Sequence, residues 1–377
     1  MSENTDENVV LDCSITPEYY KNNKESETRF KLVLQEIVNY IPTHRYILNN
    51  LETAYSSLEQ KYLDKLPFKY QDKIKKVKDR LETNNNFLSK IASIYTDKFS
   101  LETNVNQDYI NNRYYESDDF VGTYFLKCLK RDWTTESEKE REFSYGRTLN
   151  QLKKYINFDD KELMTKNNYK VLVPGTGCSR MTYELAKRGF EVECNDFSYI
   201  FIMCDDYLFN RSHKNEFQIC PKINAFEGCL TEEDALKKYS IPDVDIKQEL
   251  IKANAKKIIF TKGDFYSLYK DKEDCYDVII TLFFIDIAKN IIEYVELIQN
   301  MLKKGGVWIS LGCFDYYYSD KEESIDLTWD ELRYVITQYN FEIKNEELGY
   351  VPFGEMEQNF SFRFGSSGTA FFTAIKK

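Results

Sequence analysis

Histidine is nearly absent. The 377-residue chain has two, His44 and His213, both expected at the surface or on helices. That sets aside mechanisms that need an enzyme histidine as general base. Glycine is absent before Gly122, which favours long helices over tight turns in the first third. An excess of basic charge is also missing: 51 Lys and Arg face 62 Asp and Glu, for a net charge of −11. Phosphate backbones call for clustered cations, so nucleic acid is not an expected partner. The local basic stretch DKIKKVKDR alternates with acids and reads as a solvated helix face. None of the nine cysteines stands in a C-x-x-C pair, and no spacing suggests zinc or a disulfide framework. No apolar run reaches membrane-spanning length, and the opening MSENTDENVV is not a signal peptide. The expectation is a soluble protein of the cytoplasm, with the nucleus as a second location, holding no metal.

What is present is aromatic and apolar material for a sizeable core: 42% hydrophobic residues, with 29 Tyr and 26 Phe. Residues 1–15 read as a disordered tail. From 16 to 150 the spacing predicts helices, as in RFKLVLQEIVNYI, LETAYSSLEQKYL and NNFLSKIASIYTDKF, with apolar residues three and four apart. Such helices suit an interaction module, a homodimer contact or a cap on the domain after them. From 151 to 377 strands and helices alternate. YKVLVPG, FEVECND, KKIIFTKGDF, YDVIITLFFID and GGVWISLG read as strands with helices between them, and FEIKNEE and GTAFFTAIKK close as strands. This predicts an α/β, Rossmann-like, mainly parallel sheet with an antiparallel carboxy-terminal edge and a helical amino-terminal region. Residues 211–255, containing IPDVD, interrupt the order as a polar insertion.

The stretch VLVPGTGCSR ends a strand in Gly175 and Gly177 and leads into a helix. A dinucleotide fingerprint would need a third glycine where Arg180 stands, and a P-loop would need a Gly-Lys-Ser/Thr ending. A lone Gly-x-Gly could serve only the turn. It is joined by Asp196, 21 residues beyond Gly175, where a carboxylate can take ribose hydroxyls or cap a helix. Asp264 and Phe265 come next, suited to an adenine amine and ring, with Phe265 equally at home in a core. MLKKGGVWISLG reads as a helix, a Gly-Gly turn at 305–306 and a strand. In this order the features resemble those of S-adenosylmethionine-dependent class I methyltransferases, which makes S-adenosyl-L-methionine the expected cofactor and S-adenosyl-L-homocysteine its product.

The resemblance narrows further. VLVPGTGCSRMTYELAKRGF, CNDFS, PDVD, GDF, TLFFIDIAKNIIEYV, LKKGGVWISLG and KRDWTTESEKEREFSY are together similar to the carnosine N-methyltransferase family, from about residue 120 to about 345. That family methylates an imidazole nitrogen of carnosine to give anserine. The likeness implies that Cys128, Arg131, Gly175, Gly177, Asp196, Asp264, Phe265 and Leu282 meet the cofactor, with Arg131 toward its carboxylate and Asp196 where the family usually carries Glu. It implies that Phe283, Asp286, Asn290 and Tyr317 meet an imidazole-dipeptide substrate. Asp286 and Tyr317 would be the catalytic pair; Asp286 could instead cap the helix after it. Two departures stand out. Tyr317 occupies the place of a family histidine, and Ser366, Ser367 and Gly368 lie where the family has a tyrosine cluster. A protein histidine as substrate, or a cofactor-binding scaffold without turnover, are the competing readings.

Overall fold

The apolar runs assemble into one eight-stranded sheet, seen in a computed structural model that describes residues 10–12, 24–99, 124–222, 229, 231–319, 323–353 and 365–377. The strands are β1 (Leu11–Asp12), β2 (Lys170–Pro174), β3 (Glu191–Asp196), β6 (Ile258–Lys262), β7 (Tyr276–Leu282), β8 (Leu302–Cys313), β9 (Phe341–Phe353) and β10 (Gly365–Lys376). β4 (Phe217–Ile219) and β5 (Tyr239–Ile241) form a separate antiparallel pair in the insertion. The sheet order is β1-β6-β3-β2-β7-β8-β10-β9. Its strands from β1 across to β8 run parallel, and β10 is antiparallel to both β8 and β9. From β2 the chain winds one way to β3 and β6, then returns to β7 on β2's other side. The switch point lies between β2 and β7, where open α/β sheets place their ligand crevice, at the carboxyl ends of the strands.

The predicted α/β architecture and its antiparallel edge are as expected, with three corrections. Leu11–Asp12, placed in a disordered tail, is an edge strand, with Leu11 paired to Ile258 and fully buried. The backbone amides of Val10 and Leu11 both donate to the Asn210 side chain, which ties the strand to the sheet. The rest of that tail, and the helical reading of 100–123, fall outside the described residues. Second, the Gly-Gly turn at 305–306 is a bulge inside β8. Leu302 pairs with Tyr276 and Val307 with Val278, so residues 303–306 loop out opposite Asp277 alone. Gly305 takes φ +77° there, and a Cβ on Gly306 would sit 2.7 Å from the Lys303 carbonyl oxygen. Third, His44 lies on a helix as expected but is buried, its Nδ1 hydrogen-bonded to the Tyr40 carbonyl at 2.8 Å.

The amino-terminal helices Lys24–Val38, Tyr40–Ser56 and Tyr70–Ala92 pack together, and the first and third rest on the sheet's own helix Tyr199–Asn210. Phe30 meets Tyr199 edge-on, with centroids 5.4 Å apart, and the Tyr95 hydroxyl donates to Asp206 at 2.6 Å. Within the chain, then, they cap one side of the sheet domain. No helix among the described residues is long and apolar enough to cross a membrane.

Candidate active site

The crevice floor is the turn after β2. Gly175 and Gly177 hold φ of +62° and +57°, which L side chains rarely adopt. A Cβ on Gly175 would lie 2.3 Å from the Phe284 ring, whereas one on Gly177 would meet nothing within 4 Å. Gly175 is therefore required by its neighbour, and Gly177 leaves open space above the backbone. Ser179 also has positive φ, +55°, at the start of the helix Arg180–Lys187. Its hydroxyl donates to the fully buried Asp205, whose carboxyl burial pushes far above the usual range. Thr176 joins by hydroxyl contacts to Ser179 and Thr182 at 3.1 and 2.9 Å. The turn is braced from behind by this network of hydroxyls.

Asp196, at the end of β3, faces the turn. One carboxylate oxygen accepts the Gly177 amide and the other the Ser198 amide, both at 2.9 Å. Burial raises its pKa to about 6, against these backbone donors, which favour the ionised form. The Phe197 amide also favours its ionised form, so three backbone amides, from the turn after β2 and the loop after β3, face this one carboxylate. Asp264 caps the helix Phe265–Tyr269, with one oxygen accepting the Ser267 amide at 2.8 Å and its hydroxyl at 2.7 Å. Its second oxygen takes no part in that cap. The ring of Phe265 lies in the core against Tyr269, Phe284 and Tyr294. It braces Asp264 from beneath, and only its backbone is at hand for a base. Leu282 ends β7 partly buried. Cys128 is buried on the helix Phe125–Trp133, and burial lifts its thiol to about 11, so it offers a neutral wall. Arg131 lies three residues on, nearly one turn along the helix, and pairs with Asp132.

The residues expected to meet a substrate begin where β7 ends. Phe283 takes φ +52°, a strained conformation for a bulky residue, while its amide donates to the Leu311 carbonyl at 2.7 Å. The chain then turns through a short 3-10 segment, Ile285–Ile287. Asn290, not Asp286, caps the next helix, its side-chain oxygen accepting the Ile292 amide at 3.1 Å. Asn290 is thus committed to that cap, and Asp286 is not. Asp286 is 8% exposed. Burial raises its pKa to about 6; its own amide and that of Asp315 pull it down, and the Asp315 charge adds to the rise. The Tyr317 amide donates to the Asp286 carbonyl at 3.1 Å, which joins the loop after β8 to the end of β7. The Tyr317 ring is 54% exposed and meets Tyr318 edge-on. Ser366 and Ser367 have side chains outside the described residues.

Three charged residues escaped sequence reasoning. Arg180 read only as a missing glycine. In the fold it reaches Asp243 of the insertion at 2.8 Å, and Arg141 reaches the same carboxylate at 2.8 Å. The signal was visible only as motif text, with Arg141 in KRDWTTESEKEREFSY, Arg180 in VLVPGTGCSR and Asp243 in PDVD, and nothing to say that the three meet.

Comparison with known proteins identifies the family. The family model described as carnosine N-methyltransferase matches residues 115–376. A carnosine N-methyltransferase of Dictyostelium discoideum is 29% identical over 336 residues, 85% of this chain and 70% of that one. That of Schizosaccharomyces pombe is 32% identical, covering 58% of this chain and 61% of its own, and that of Mus musculus is 32% identical, covering 59% and 54%. The matched region thus spans about half to two-thirds of the yeast and mouse proteins. With a Rossmann-like sheet and a matched model over most of its length, the chain belongs to the carnosine N-methyltransferase family.

Proposed function

We propose that the chain is an S-adenosylmethionine-dependent N-methyltransferase acting on the imidazole of carnosine or a related histidine-containing dipeptide, giving anserine from carnosine. The observation that carries this reading is Asp286: a buried carboxylate, not consumed as a helix cap, at the carboxyl end of β7 beside the glycine turn.

The residues of the crevice fit the cofactor. Gly177 leaves room over the backbone, Asp196 would accept from the ribose hydroxyls with its remaining acceptor capacity, and Asp264 would take the adenine amine on the oxygen its cap does not use. Arg131 would hold the methionyl carboxylate, where a guanidinium binds in bidentate fashion. The bound cofactor supplies a methyl group already activated on a sulfonium, so the protein's task is mainly alignment.

The remaining chemistry belongs to the side chains. An imidazole nitrogen attacks only with its lone pair free. Asp286, accepting from the other ring N–H, fixes that tautomer. As the ring becomes cationic the same carboxylate stabilises it, then takes the proton that methylation makes acidic. An ordinary imidazole titrates at about 6.5, so a carboxyl near 6 is well matched for sharing that proton. Burial excludes competing water from this bond. The Tyr317 hydroxyl stands at the rim as a neutral donor or acceptor for the dipeptide chain.

The test is methyl transfer from labelled S-adenosylmethionine to carnosine, with free histidine and a cell extract alongside. Anserine formation is the expected result. Label only in an extract protein would move the substrate to a protein histidine.

A further inference from the structure

The peptide that carries Arg131 is gripped at four successive carbonyls. The Arg141 guanidinium donates to the carbonyls of Arg131 at 2.9 Å and Thr134 at 2.6 Å. Arg180 donates to that of Asp132 at 2.9 Å, and the Asp243 amide to that of Trp133 at 2.9 Å. The Trp133 indole N–H reaches the Cys178 carbonyl inside the glycine turn at 2.7 Å. Asp243, from the insertion, ties the two arginines together, one oxygen to each at 2.8 Å, and the three side chains are only 9–10% exposed. A buried Arg–Asp–Arg bridge therefore fixes this peptide against the turn.

Asp132 has no exposed surface. One of its oxygens accepts Arg131 Nε at 2.7 Å and the Tyr145 hydroxyl at 2.6 Å; the other accepts Arg131 Nη2 at 3.0 Å. This takes one edge of the guanidinium. The Nη1–Nη2 edge, with three N–H groups, stays unspent on a side chain that is 25% exposed. The pair as a whole is neutral. A zwitterionic amino-acid end, with an ammonium beside its carboxylate, meets a donor edge of fixed direction and no surplus charge to repel the ammonium.

We propose that Asp132 is a positioning residue for cofactor recognition, turning the outer edge of Arg131 toward the amino-acid carboxylate, and that Asp243 of the insertion holds the peptide on which both sit. The inference rests on the reading that this crevice binds S-adenosylmethionine.

The experiment compares two ligands by calorimetry on the full chain. S-adenosylhomocysteine carries the amino-acid end; 5′-deoxy-5′-methylthioadenosine is the same thioether nucleoside without it. Asp132→Asn is expected to weaken the first by about 10- to 100-fold and leave the second within about twofold, the size of one lost charge-assisted pair. Asp243→Asn is expected to show the same selectivity, and Arg131→Ala added to Asp132→Asn little further loss. Should the loss of a buried charge unfold these variants, Tyr145→Phe removes one hydrogen bond from Asp132 and is expected to give a several-fold loss on the first ligand alone. Equal loss on both ligands, or none on either, overturns the inference. A wild-type chain that binds both ligands alongside such variants leaves the cofactor reading standing. A wild-type chain that binds neither overturns that reading and this one with it.

Discussion

The Gly177 amide donates to the Asp196 carboxylate at 2.9 Å, so the end of β3 holds the turn after β2 by a charge-assisted hydrogen bond. The same group that would receive the ribose thus shapes the backbone beneath the cofactor. Asp196→Ala removes both roles at once. The expected cost is about 2–3 kcal/mol of cofactor binding, or about 30- to 150-fold in Kd. Calorimetry with S-adenosylhomocysteine measures it. The 2′-deoxy analogue separates the roles: it should bind weakly to the parent chain and lose little more in the variant. A variant that binds the unmodified ligand as tightly as the parent would remove Asp196 from the site.

Gly175 is constrained by sterics as well as by its φ of +62°. An added methyl meets the Phe284 ring, which is itself packed between Phe265 and Tyr294. Gly175→Ala should cost about 2–5 kcal/mol, from a left-handed alanine plus an overpacked core. Gly177→Ala meets nothing in the fold and should cost only the backbone part, about 1–2 kcal/mol. Its methyl would project over the crevice, so its larger effect should fall on cofactor affinity. Denaturant midpoints beside binding curves distinguish the two. Equal destabilisation by both would contradict the Phe284 contact.

The sheet was legible because its strands are near-continuous apolar runs, and Val171 to Val173 or Val278 to Ile280 allow little else. The helix Tyr199–Asn210 is the stretch YIFIMCDDYLFN without a residue to spare. Gly175, Asp196, Asp264 and Leu282 could be singled out because each stands at or just past the end of its strand, whereas Cys128 and Arg131 lie on a helix and came only with the family resemblance. What the sequence hid was long-range. Asp243 lies 102 residues from Arg141 and 63 from Arg180, and no local pattern announces a pairing across such separations. Leu11–Asp12 is two residues long, too short for any periodicity, and is a strand because Ile258 and Ile259 offer it an edge. Phe265 was ambiguous between platform and core, since an aromatic beside an acid reads alike in either setting.

Tyr317 is the chain's departure at the rim. If its hydroxyl contacts the dipeptide, Tyr317→Phe removes one neutral hydrogen bond, about 0.5–1.5 kcal/mol, and raises KM for carnosine by about 2- to 12-fold. Cofactor affinity and the maximal rate should stay unchanged, because the ring is 54% exposed and Tyr317 meets Asp286 through a backbone hydrogen bond that the substitution keeps. Tyr317→His restores a group able to carry charge near neutral pH, so its KM should fall at lower pH relative to the parent. Steady-state kinetics across pH decide both. A Tyr317→Phe variant with parental KM would make the side chain a bystander.

Asp286 gives the sharpest pH dependence. Its carboxyl sits at about 6 because of burial, reinforced by the Asp315 charge. Raised above the usual carboxylate value, it makes the fold lose stability as pH climbs from about 4 to 6, since the native state then binds more protons than the unfolded chain. Activity runs the other way. Only the carboxylate can accept the ring N–H, so kcat should rise through about pH 6 and level off above it. The group is not isolated: Cys313, Asp315 and Tyr316 face it from the end of β8 and the loop beyond, and Cys313 and Tyr316 are themselves raised, so neither ionises in this range. The substrate imidazole, near 6.5 when unperturbed, adds its own limb to kcat/KM, and kcat at saturation avoids it. Asp286→Asn should lower kcat by about 10²- to 10⁴-fold, as loss of a general base does, and flatten the acid limb. Asp315→Asn should keep the limb and move its midpoint down, because it removes a like charge and keeps the backbone donor. A kcat profile with the same midpoint in Asp286→Asn as in the parent would assign the limb, and the proton transfer, to another group.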